Sequence, residues 1–255
     1  MATRRFLLLG AVLLSAACSR EPEPRTVNVA VAANFATVQA ELAQRFTQQT
    51  GDTVRASVGS TGQLYAQIKN GAPFDVLLSA DAERPKQLEA ESLAVKGSRF
   101  TYAVGQLALY APRDSTTAVG PDLLKGTFAH VAIANPKIAP YGAAAIETLR
   151  HLGADTTLGG RVVQGENIGQ ALQFVQSGAA DFGFVAYSQV VKEPAKTYWL
   201  VPADYHSAIV QDAVLLRPGE RNSAARAYLE FLRTPAAQEV IRSFGYAVPP
   251  QRQAP

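Results

Sequence analysis

Short apolar, β-branched runs alternate with stretches of helical period along the first third of the chain. VNVAVAA (27–33) reads as a buried strand. Phe35, Val38, Leu42 and Phe46 then fall on one helical face, and Gly51 closes that helix. TVRASVG (53–59) reads as a second strand. It is followed by a helix over TGQLYAQIKNG, with Leu64 and Ile68 on one face. PFDVLLSA (73–80) is a third strand, followed by a helix near 83–91. A β-α-β-α-β order of this kind folds as a parallel sheet with helices on its faces.

Two long extended runs, 98–113 and 206–219, frame a second set of the same kind. In that set HVAIANP is a strand, a helix follows over 142–152, RVVQGE is a strand, and NIGQALQFVQSG is a helix. ADFGFVAYSQV supplies another strand and turn, and helices near 221–233 and 235–244 finish the chain. The simplest arrangement is α/β and two-lobed. One lobe takes 26–105 plus 210–250, the other takes 106–209, and the chain crosses between them near 105–108 and 208–211. Each lobe carries a small open sheet. Ligands bind at the carboxyl ends of strands in such sheets, so the cleft between the lobes is the expected site.

The N-terminus stands outside this pattern. Arg4 and Arg5, the apolar run FLLLGAVLL and the small residues SAAC have the layout of a secretory signal, expected over 1–17. Cys18 is the single cysteine and stands where a lipoprotein signal would be cut. Ser15 occupies the place where such signals usually carry Leu. Residues 18–25 read as a polar tether and 251–255 as a tail. Without residues 1–17 the net charge falls from +3 to +1, because that segment holds two Arg and no acid. A near-neutral mature chain with no basic stripe argues against nucleic acid as a partner.

Polar and glycine residues gather where strands give way to helices: Asn34 in AANF, Ser60 and Thr61 in GSTG, Tyr141 in APYG, and Asn167 with Ile168 in GENIG. Helix starts present unpaired N–H groups and a positive dipole end, and several converging on one cleft would bind an anion through neutral donors. Asn, Ser and Thr are also the ordinary N-cap residues of any α/β protein, so this pattern alone leaves both readings open. Lys137 is the one cation near these junctions, and Asp75 and Asp81 lie close in sequence. No G-x-S-x-G elbow or phosphate-binding loop occurs, and the three histidines sit in unrelated contexts. The residues therefore suggest neither an enzyme nor a metal centre, and no cofactor is expected.

The segments VNVAVAANF, ASVGSTGQLYAQIKNGAPFDVLLSAD, ANPKIAPYGAAAIETLRHLG and GENIGQALQFVQSGAADFGFVAYSQ resemble the periplasmic molybdate-binding proteins of ABC transporters, in order and spacing, over nearly all of 26–250. The resemblance implies a type II periplasmic binding protein fold: two mixed sheets flanked by helices, an interlobe cleft and two hinge crossings. It implies molybdate or tungstate as the ligand, held as an oxyanion by Asn34, Ser60, Thr61, Tyr141 and Ile168. Ala33, Asn167 and Tyr187 are flanking candidates. Tyr187 stands one place later than the ligand Tyr of some members, which turns it to the other face of its strand. Asn34 is expected to offer its amide instead. The implied partners are the permease subunits of a membrane transporter, the chain being a monomer exported to the periplasm or anchored through Cys18. A receptor for another anion such as sulfate, an enzyme, or a ligand-sensing module on the same fold are the rival readings.

Overall fold

The computed structural model describes residues 25–112, 119–155 and 158–248. The signal segment, Cys18 and the 251–255 tail lie outside the described residues.

The chain opens with β1 (Thr26–Ala32), a 3-10 turn over Ala33–Phe35 and α1 (Ala36–Thr50). There follow β2 (Thr53–Gly59), α2 (Thr61–Lys69), β3 (Val76–Leu78) and α3 (Glu83–Ala90). The first long run is not one strand. It breaks at Gln106 into β4 (Phe100–Gly105) and β5 (Leu107–Tyr110), which join different sheets. The second set is β6 (Val131–Ala134), α4 (Pro140–His151), β7 (Val162–Gly165), α5 (Ile168–Ser177), β8 (Phe182–Ala186) and the short α6 (Tyr187–Val190). A strand that the sequence pattern did not reveal, β9 (Tyr198–Leu200), precedes β10 (Ile209–Leu215), α7 (Ser223–Leu232) and α8 (Pro235–Ser243).

Two five-stranded mixed sheets result, ordered β2-β1-β3-β10-β4 and β7-β6-β8-β5-β9. In the first, β1 runs parallel to β2 and β3, while β10 is antiparallel to β3 and β4. In the second, β6 runs parallel to β7 and β8, while β5 is antiparallel to β8 and β9. The central parallel strands are covered on both faces, which is why VNVAVA and VAIA read as near-continuous apolar runs.

The first sheet packs one face against Phe35 of the 3-10 turn and against Val38, Leu42, Phe46, Tyr228 and Ile241 from α1, α7 and α8. Its other face meets Leu64, Ile68 and Leu88 from α2 and α3. The second sheet has its own core around Leu107, Ile133, Leu149, Ala171 and Phe184. Helix α4 begins at Pro140, two residues earlier than its apolar period alone predicts. Proline at the first helical position gives up no hydrogen bond and is already set to helical φ.

Candidate functional site

The parallel strands of both sheets end at the same place. Ala33 and Asn34 follow β1, Ser60 and Thr61 follow β2, Ala80 follows β3, Tyr141 follows β6, and Asn167 with Ile168 follow β7. These residues, with Ala32, Ala139 and Pro140, line one cavity of ≈ 10 Å³, about the room that one water centre needs. Seven of the eight sequence candidates thus meet in one compact space that is too small for an amino acid or a sugar. No residue of the lining carries a charge.

Each helix start meets this cavity in the same chemical state. The first N–H groups of a helix have no partner within it. At α2 the Gly62 N–H donates to the Ile138 carbonyl (2.8 Å) and the Gln63 N–H to Ser60 Oγ (3.4 Å). That leaves the Thr61 N–H. The Ser60 side chain accepts at this cap, and its own hydroxyl proton stays free to donate. At α5 the Asn167 Oδ1 accepts from Gly169 N–H (2.9 Å) and Gln170 N–H (3.1 Å), which leaves the Ile168 N–H. At α4 Pro140 has no N–H, while those of Gly142 and Ala143 turn back to the Ala139 carbonyl (2.9 and 3.1 Å). That leaves the Tyr141 N–H. Ala33 and Asn34 open the 3-10 turn after β1, where again the first amides have no helical acceptor. Residues with leftover donors therefore line one small space from both lobes. Such a cage suits an anion that only accepts hydrogen bonds.

Several side chains lie differently from expectation. The Asn34 amide does not face the cavity: its Nδ2 donates to Gln211 Oε1 (3.0 Å) and to the Tyr246 hydroxyl (2.9 Å). What Asn34 can offer an anion is its backbone N–H. The Tyr141 hydroxyl is likewise turned away and accepts from Gln211 Nε2 (3.1 Å). Asn167 acts as a helix cap, so its oxygen points at its own helix. Tyr187 does not line the cavity. Its N–H donates to the Gln106 carbonyl (2.9 Å), and its ring lies 5.4 Å from that of Tyr198 and packs on Gly245. Lys137 is exposed. Asp75 accepts from the Asn28 N–H (2.7 Å), and Asp81 pairs with Arg84, so neither carboxylate enters the cavity.

The sequence reading missed a polar layer under the cavity. Asn34, Tyr102, Tyr141, Ser188, Gln211 and Tyr246 form a buried hydrogen-bonded cluster. Burial raises the Tyr102 and Tyr141 hydroxyls well above the ordinary phenol range and pushes Tyr246 up to about 12, so all three stay protonated and neutral. A signal for this layer did exist. Gln211 and Asp212 are adjacent polar residues inside an apolar strand, and neighbours in a strand face opposite ways, so both cannot point to water.

Residues 27–247 match the family model described as bacterial extracellular solute-binding protein. The molybdate-binding protein ModA of Rhodobacter capsulatus is 48% identical over 245 residues, covering 96% of this chain and 94% of the relative. ModA of Azotobacter vinelandii is 46% identical, covering 96% and 98%. The chain belongs to this family of solute-binding proteins. The solved periplasmic molybdate-binding protein of Azotobacter vinelandii superposes with a TM-score of 0.84 at 40% identity, covering 88% of this chain and all of that one. The family fold is two-lobed, and the two mixed sheets described above are its two lobes.

Proposed function

We propose that this chain is the exported binding component of a molybdate importer, which captures molybdate or tungstate between its lobes and delivers it to permease subunits in the membrane. The observation that carries this reading is an uncharged cavity lined from both lobes by Asn34, Ser60, Thr61, Tyr141 and Ile168, residues at helix starts whose first N–H groups lack partners within the helix. A fully deprotonated tetrahedral oxyanion accepts from every direction and donates nothing, which matches a cage of donors alone. Phosphate keeps a proton at neutral pH and would need an acceptor, and no carboxylate lines this cavity. High identity to proteins named for molybdate binding supports the choice of ion.

The lining holds no His, Cys, Asp, Glu, Lys or Arg, so the Ser60 and Thr61 hydroxyls have no base beside them. The reading is therefore capture and release, without catalysis and without a cofactor. Among the described residues no helix is long and apolar enough to cross a membrane, and no acidic or thiol cluster could hold a metal ion. The reading takes the protein as a monomer that is held near its permease by lipid on Cys18.

A thermal-shift screen of the purified chain against molybdate, tungstate, sulfate and phosphate tests the ion. At a concentration ~100 times the dissociation constant, a ligand adds about 2.7 kcal/mol of stability. Molybdate and tungstate are expected to raise the melting temperature by roughly 5–10 °C. A rise with sulfate or phosphate alone would keep the binding protein and discard molybdate.

A further inference from the structure

Gln211 sits on β10 beside the second crossing between the lobes, is fully buried, and touches no solvent. Its two ends hold opposite sides of the cleft. Oε1 accepts from Asn34 Nδ2 (3.0 Å) and lies 3.0 Å from the Tyr102 hydroxyl, both on the first lobe. Nε2 donates to the Tyr141 hydroxyl (3.1 Å), on the second. Asn34 and Tyr141 both line the cavity, one from each lobe. One side chain thus ties together two opposed walls of the donor cage.

The backbone around it is shaped for that placement. The β10–β4 ladder shifts register between Gln211 and Asp212, leaving Tyr102 without a partner in the ladder. Bulges of this kind re-aim side chains next to functional sites. Beyond the shift Asp212 pairs with Arg99 (2.6 Å) and Thr101 (2.7 Å), away from the cavity, and this anchors the strand from its other face. Gly105 leaves the space that the bridge needs. A Cβ there would collide with the Tyr141 hydroxyl and come within 2.6 Å of Gln211 Nε2.

We propose that Gln211 is a positioning residue that sets anion selectivity by fixing the spacing between the donor walls of Asn34 and Tyr141. This rests on the oxyanion reading above. Sulfate and molybdate share charge and shape and differ in size. A cage held at fixed spacing leaves some donors unpaired around the smaller ion, and an unpaired buried donor is costly. If the brace is removed the walls can shrink onto sulfate, which gains more than molybdate loses.

The test is calorimetric titration of molybdate and sulfate into the full-length wild type, Gln211→Met and Tyr102→Phe. Gln211→Met keeps the bulk and removes every bond, and the preference for molybdate over sulfate is expected to fall by about tenfold or more, a factor worth roughly 1.4 kcal/mol. Tyr102→Phe removes one bond to Oε1 and is expected to shift the preference the same way by less. A purely structural role would weaken both anions together, so an unchanged ratio in the variants overturns the proposal. If Gln211→Met does not fold, the ratio in Tyr102→Phe decides. A wild type that binds both anions equally overturns the proposal but leaves the oxyanion reading standing. A wild type that binds neither sinks both.

Discussion

Ser60 carries two jobs that a pair of substitutions can separate. Its side chain caps α2 by accepting from the Gln63 N–H, while the Gln63 side chain returns the bond to the Ser60 N–H (3.1 Å). Its hydroxyl proton is the donor that we assign to the anion. Ser60→Ala loses both functions. A hydrogen bond to a charged partner contributes about 1.5–3 kcal/mol, so molybdate affinity is expected to fall roughly 10- to 100-fold. Loss of the cap costs about 1 kcal/mol, and glycine in its place only a few tenths. Ser60→Gly should therefore match Ser60→Ala in affinity, measured by calorimetry, yet melt higher without anion. Equal melting temperatures for the wild type and both variants would show that the cap adds nothing. At this scale the sequence named positions that the structure gathers around one cavity, but not which of their atoms face it. Asn34, Tyr141 and Asn167 were legible as residues at helix starts. Which of their atoms faces the cavity depends on partners remote in sequence, such as Gln211 and Tyr246, and no local pattern contains them.

In the site we propose, helix starts are the functional elements, and their caps decide which donors are left over. Asn167 takes the Gly169 and Gln170 N–H groups, so α5 presents the Ile168 N–H alone. Asn167→Ala frees those two amides and loosens the first turn. The expected cost is about 1 kcal/mol of anion-free stability, or roughly 2–4 °C of melting temperature. Amide exchange should quicken at Gly169 and Gln170, and molybdate should bind more weakly because the Ile168 N–H is less well aimed. Unchanged exchange would mean that the turn is held by packing on the second core instead of by the cap. The elements themselves were largely readable, because apolar period and buried faces coincide: Phe35, Val38, Leu42 and Phe46 all lie in the core. The single long run of 98–113 was not, since β4 and β5 are equally apolar on both sides of Gln106 and nothing local marks the change of sheet. Strand β9 is three residues long with a half-buried pattern, too short for its period to show.

For the whole molecule the question is what anion capture does to the relation between lobes. Across the mouth of the cleft the Gly62 N–H donates to the Ile138 carbonyl (2.8 Å), and Gln63 Nε2 to Glu166 (3.2 Å). At the mouth the contacts are polar and few, so they hold the lobes only weakly against water there, while the buried bonds of Gln211 to Tyr141 and of Ser188 to Asn34 lie deeper. On our reading an anion bonded to both sets of helix starts would add attraction there, with the two crossings at Gln106 and near Ile209 as the hinge. Small-angle scattering is expected to show a smaller radius of gyration with molybdate than without. Gly62→Ala makes this sharper. A Cβ at Gly62 would lie 2.8 Å from the Ile138 Cβ, so it props the cleft open only when the lobes approach. In the open state the same Ala is a better helix former than Gly at the start of α2. The variant should keep or gain anion-free stability, compact less on adding molybdate, and bind it more weakly. If it compacts and binds like the wild type, the lobes do not close through this contact, and the hinge must bring them together along a different line.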